Sequence, residues 1–142
     1  MRKIFAIETE IDFERSFPVM RELRPHLSFT EFKEIYNQAR NANGYQIIVV
    51  EQGGQIVALM GYRYLSDFVR GRHLYIDDLV VTEHSRSQKI GAELLRKAEE
   101  IARKENCRTL RLCTGFENVR GIKFYNQNGW MKKAFAYTKA LI

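Results

Sequence analysis

The chain has 142 residues, 45% of them hydrophobic, and a net charge of +6. That is the composition of one ordinary globular domain, read here as residues 1–142, and it excludes a disordered or collagen-like chain. Two cysteines exclude a disulfide scaffold, and with no CxxC pair or Cys/His cluster no metal site is expected.

Arg2–Glu8 is rich in β-branched and aromatic residues and predicts a strand. Residues 12–23 carry Phe13, Phe17, Met20 and Leu23 at helical spacing, with Pro18 predicting a kink or a late start. Ser28 and Glu31 form a capping box, and Leu27 with Phe32 a hydrophobic staple, so a second helix is expected over 29–40. Tyr45–Glu51 and Gln55–Leu65 flank Gly53-Gly54 as a hairpin. Ser66–Gly71 reads as a polar loop, and His73–Thr82 as a strand holding two acids, Asp77 and Asp78. Residues 88–105 carry the clearest amphipathic helix, with Ile90, Leu94, Ala98 and Ile101 on one face. A strand over 108–114, a short helix over 118–127 and a closing strand over 130–138 complete the order β-α-α-β-β-β-α-β-α-β. This predicts an α/β fold, a mixed sheet with helices on both faces.

No apolar run approaches the roughly 20 residues of a membrane helix. The first residues lack the long apolar stretch of a secretion signal. A cytoplasmic protein with reduced Cys107 and Cys113, and no membrane partner, is expected.

The charge is one-sided. Residues 1–71 carry nine basic and nine acidic groups, and residues 72–142 carry fourteen and eight. Such an excess suits either an anionic partner or a merely basic surface. The second half lacks the aromatic-basic strand signature and the zinc-finger spacing of common nucleic-acid modules, so no nucleic acid is expected.

Two segments carry the chemistry. In the first, a strand ends at Leu79-Val80-Val81, a polar turn follows, and a helix begins through Arg86-Ser87-Gln88-Lys89-Ile90-Gly91-Ala92. Unpaired N–H groups and the helix dipole make such a start a ready anion site. In the second, Asn118 suits a helix N-cap, Gly129 a terminator, and Tyr125 lies between them. His26, His73 and His84 read as surface residues. Cys107 reads as a turn thiol and Cys113 as a strand core residue.

Together the segments resemble the GNAT family of acyl-CoA-dependent N-acetyltransferases. The family's acyl-CoA loop reads Gln/Arg-x-x-Gly-x-Gly/Ala, matched here at Arg86 and Gly91, with Lys89 where the first glycine belongs. The later pattern Asn-x-x-Ala-x-x-Phe/Leu-Tyr-x-x-x-Gly-Phe is matched by Asn118, Phe124, Tyr125, Gly129 and Trp130, with Gly121 for the alanine.

The resemblance implies a mostly antiparallel GNAT-like sheet, splayed between the strands 73–82 and 108–114. It also implies transfer of an acetyl group from acetyl-CoA directly to a primary amine. Backbone groups of Leu79, Val80 and Val81 would pair with the pantetheine arm. The turn from Arg86 through Ser87, Gln88, Lys89, Ile90 and Gly91 to Ala92 would hold the pyrophosphate. Tyr125 would protonate the departing thiolate, and Asn118 would orient the cofactor or cap its helix. Many family members carry a Glu at the position of Tyr75. The base is left among Asp77, which shares the face of Tyr75 on a regular strand, Asp78, which a bulge would bring round, and a water relay. A small-molecule or protein amine is the expected partner, with a homodimer through the last strand a further expectation. A non-catalytic CoA-binding or sensor domain is the alternative.

Overall fold

The computed structural model describes residues 2–142. They form β1 (Arg2–Ala6), α1 (Glu10–Leu23), α2 (Phe29–Asn43), β2 (Gln46–Gln52), β3 (Gln55–Asp67), β4 (Gly71–Val81), α3 (Ile90–Lys104), β5 (Thr109–Leu112) and α4 (Val119–Gln127), with a 3-10 turn at Glu83–Ser85. The strands make one sheet in the order β1-β2-β3-β4-β5, and β1 to β4 pair antiparallel. This is the mixed α/β architecture expected. No helix among the described residues is long and apolar enough to cross a membrane.

Local chemistry explains most element ends. α1 starts earlier than expected because Thr9 and Asp12 form a capping box, each side chain meeting the other's backbone N–H. The helix then runs on through Pro18. Ser28 and Glu31 make the predicted capping box of α2, which ends on left-handed Gly44. The β2–β3 turn places Gly53 and Gly54 at φ 60° and 77°, backbone that glycine adopts without strain. The expected loop 66–71 shrinks to three residues, because the Asp67 carboxylate accepts from the Val69 and Arg70 N–H groups and ties the hairpin.

The middle of β2, Ile47-Ile48-Val49-Val50, is buried and carries apolar residues on both faces. Ile47, Val49, Leu59 and Val80 pack with Val19, Met20, Phe32, Tyr36 and Ala39 of α1 and α2. The alternate residues Ile48, Val50, Ala58, Met60, Leu74 and Ile76 are buried on the other face. There α3 packs against β3 and β4, burying Ile90, Leu94, Leu95, Ala98 and Ala102. The α1–α2 side is strongly aromatic. Phe13 sits edge-on to Tyr36 at 4.8 Å and to Phe32 at 5.6 Å, and Phe17 stacks on Phe32 at 5.6 Å.

Three expectations are corrected. Residues 130–138 form no strand, because a strand exists through cross-strand pairing and this stretch joins no ladder. His73 is fully buried, not superficial, with Nδ1 2.9 Å from the Gly71 carbonyl. Cys113 lies beyond the short β5 and is exposed. The chain divides into two compact units, the first ending at Arg111 and the second spanning Leu112–Ile142.

Phe32 is 3% exposed and meets two other aromatic rings. Phe32→Ala should destabilise the fold by about 3–5 kcal/mol, read by urea unfolding.

Candidate active site

β3 and β4 pair from Ala58 opposite Val81 to Gly61 opposite Asp78, then resume with Tyr62 opposite Ile76. Asp77 is the extra residue of a β-bulge. On a regular strand, Asp77 and Asp78 would point to opposite faces. With the bulge, both carboxylates join one network.

The Tyr45 hydroxyl donates to Asp78 Oδ2 at 2.6 Å. Arg24, just past the end of α1, donates through Nε to Asp78 Oδ1 at 3.1 Å and through Nη2 to the Asp77 carbonyl at 3.0 Å. Arg63 grips the Asp77 carboxylate with Nε and Nη2, both at 2.9 Å. Its Nη1 donates to Asn43 Oδ1 at 3.2 Å, and its guanidinium lies 5.3 Å from the centre of the Tyr45 ring. Tyr75, opposite Arg63 in the ladder, carries the Arg111 guanidinium over its ring at 4.7 Å.

Gly61 makes room for this network. A Cβ there would collide with the Tyr45 hydroxyl and lie 2.9 Å from Asp78 Oδ2. Tyr45 itself is buried. Burial first, and then the Asp78 charge, push its hydroxyl well above the usual tyrosine range, so it remains a neutral donor. Burial also raises the Asp77 carboxyl, against the opposing pull of Arg63.

The phosphate-side turn is a second, separate piece of geometry. Ser87 and Lys89 both adopt left-handed backbone, with φ 73° and 64°. Lys89 is the N-cap of α3, yet no side chain caps that helix. The first N–H groups of α3 therefore keep their donor capacity for an anion. A left-handed residue with a Cβ costs about 1–2 kcal/mol, and glycine avoids that cost. This is why the family pattern has glycine where this chain has Lys89. Arg86 folds back, its Nε donating to the Val81 carbonyl at 3.3 Å.

The end of β4 leading into this turn extends beyond β5. β5 follows α3 and neighbours β4 in the sheet. It begins beside the start of β4, where the Arg108 N–H donates to the Arg72 carbonyl at 2.9 Å. β5 has four residues and β4 eleven, so β5 stops short of Asp77–Val81. The antiparallel register turns the main-chain groups of Leu79 and Val81 toward the β5 side and those of Val80 toward β3, and the Val81 carbonyl there accepts from Arg86.

Within the second unit, Asn118 caps α4. Its Oδ1 accepts from the Gly121 N–H at 3.1 Å, and its Nδ2 donates to Thr114 Oγ1 at 2.9 Å. The Asn118 side chain occupies the space that a Cβ on Gly121 would need, which explains a glycine where the family pattern has alanine. Tyr125 lies against Phe124 and Trp130, with ring centres 5.3 and 5.9 Å away. Burial raises its hydroxyl above the usual tyrosine range.

The sequence reading passes over Arg24, Tyr45, Gly61 and Arg63. Only Gly61 carried a signal, since an isolated glycine within a strand pattern marks a bulge or a close approach.

Residues 7–130 match the Acetyltransferase (GNAT) family model. The chain belongs to this family. It is 27% identical over 129 residues to the uncharacterized N-acetyltransferase YhdJ of Bacillus subtilis (strain 168), covering 90% of this chain and 91% of that one. It is likewise 27% identical over 125 residues to the thialysine N-epsilon-acetyltransferase of Bos taurus, covering 78% and 74%. In fold it is similar to the aminoglycoside N-acetyltransferase AAC(6')-Iy solved in complex with CoA, with TM-score 0.87, 13% identity and coverage of 100% and 96%. The chain is thus an acyltransferase of the GNAT family.

Gly61→Ala should lower stability by about 1–3 kcal/mol through overpacking against Tyr45 and Asp78, measured by chemical denaturation. Because the Asp77 carboxyl is raised on folding, the folded state binds its proton more tightly than the unfolded chain does. The stability from this group is complete below the unfolded value near 3.8 and is lost as pH rises through the higher folded value. Urea unfolding across that range should show Asp77→Asn gaining on the unmodified chain as pH increases.

Proposed function

We propose that this chain, with residues 1–142 working as one domain, moves an acetyl group from acetyl-CoA directly to a primary amine. The observation that carries this reading is the uncapped, twice left-handed turn from Arg86 into α3, one short 3-10 turn after the end of β4, in a chain of the acetyltransferase family. A pyrophosphate fits there, because open N–H groups and the positive end of the α3 dipole converge where Arg86 and Lys89 add charge. The pantetheine arm would lie along Leu79–Val81.

The chain's own groups divide the chemistry. A main-chain N–H of Leu79–Val81 faces the thioester oxygen as negative charge develops there. Asp77 and Asp78 serve the acceptor amine. Asp77, raised by burial, takes the proton-acceptor role, since a base works best when its pKa approaches the working pH. It acts directly or through a water. Tyr125 remains protonated at neutral pH and gives its proton to the departing sulfur. Asn118 holds the helix that carries Tyr125. Two unpaired thiols and an acetyl-CoA-dependent reaction suit a cytoplasmic setting.

The test is thiol release from acetyl-CoA across a panel of amines: lysine analogues including thialysine, polyamines, aminoglycosides and peptide N-termini. Turnover of at least one amine is expected. CoA binding without turnover of any would favour a sensor domain instead. Tyr125→Phe should lower kcat by about 10²–10⁴-fold. The alkaline limb of the unmodified chain's rate profile should fall above pH 10, since burial raises the phenol beyond that value. Unchanged turnover in Tyr125→Phe would remove the acid role.

A further inference from the structure

The phosphate-side turn is gripped from the far edge of the sheet. Arg2, at the start of β1, uses all three guanidinium nitrogens. Nη2 donates to the Gln88 carbonyl at 2.8 Å, Nη1 to Glu93 Oε2 at 2.8 Å and Nε to Gln52 Oε1 at 2.9 Å. Gln52 in turn donates through Nε2 to Gln88 Oε1 at 3.1 Å. One residue of the turn, Gln88, is therefore held by both its main chain and its side chain.

The held carbonyl matters because of where it sits. Gln88 lies between the two left-handed residues, Ser87 and Lys89. Its C=O belongs to the planar peptide unit that ends at the Lys89 nitrogen. Rotation about φ of Lys89 swings that unit, so a carbonyl fixed in space fixes φ at 64°. A glycine there would hold the same angle with no steric penalty, but lysine favours negative φ. With α3 held in the fold, relaxation to negative φ would swing the Lys89 N–H and the turn before it away from the start of the helix.

We propose that Arg2 is a positioning residue for acetyl-CoA: its clamp on Gln88 holds the turn in the conformation that a glycine at position 89 would otherwise secure. The proposal rests on the reading of residues 86–92 as the pyrophosphate site. Arg2 acts through the peptide of Gln88 and does not itself touch the cofactor.

The experiment is a double-mutant cycle on the full chain, with Kd for CoA from calorimetry and KM and kcat from thiol release. Arg2→Ala should weaken CoA binding and raise KM for acetyl-CoA about tenfold, equivalent to 1.4 kcal/mol. Its kcat at saturating acetyl-CoA should change less than about twofold, a split that general loss of folding would not give. In the Lys89→Gly background the same Arg2→Ala change should cost less than about twofold, because glycine needs no clamp. Gln52→Ala, which loosens the clamp and leaves Arg2 in place, should raise KM about threefold and guards against a folding defect in Arg2→Ala.

An equal loss in both backgrounds would overturn the proposal, since Arg2 would then act by its charge alone. An unchanged Kd in Arg2→Ala, with CoA still bound by the unmodified chain, would overturn it as well. Failure of the unmodified chain to bind CoA would remove the acetyltransferase reading and the proposal with it.

Discussion

The contact on which the site depends is the short hydrogen bond from Tyr45 to Asp78, made across a position where β3 has no side chain. Gly61 opens the space, the bulge at Asp77 turns both carboxylates toward it, and Arg24 and Arg63 close around them. The aromatic core reaches this network through Tyr36, whose ring meets Tyr45 edge-on at 5.8 Å. Packing between α1, α2 and the sheet is thereby linked to the placement of two acids in the middle of β4. A buried polar cluster of this kind is stable because each member has a partner, and removing one leaves the others desolvated and unpaired.

The elements were legible wherever a local rule governs them. The α2 capping box, the glycine hairpin and the amphipathic stripe of α3 depend on neighbours within one or two turns of chain. α1 was misjudged at its start because Thr9 and Asp12 stand before the apolar stripe used to place it. The missing strand over 130–138 shows the opposite limit, because strand formation needs a partner that periodicity cannot name. The candidate site divides in the same way. The turn at 86–91 and the Tyr125 helix follow from short motifs. The Asp77–Asp78 surroundings needed Arg24, Tyr45 and Arg63, which lie 14 to 54 positions away in sequence and come together only through the sheet register.

Lys89 illustrates how a departure from a motif can be absorbed. A family pattern records the least strained residue for a left-handed position, but the position is set by everything that holds the neighbouring peptide. Here the support comes from β1, the strand at the opposite edge of the sheet from β5. The basic excess of the second half also gains a physical meaning. Arg86 and Lys89 stand at the helix start, whereas Arg72 and Arg111 lie over the rings of Tyr64 and Tyr75 and belong to the framework.

The length mismatch between β4 and β5 has a cost outside chemistry. An edge with free main-chain donors and acceptors will pair with any extended segment of suitable length. The length of β4 beyond β5 is therefore also a place where two copies of the chain can pair. Any extended segment laid along this strand end would shield it and improve colloidal behaviour, with no change to a single residue.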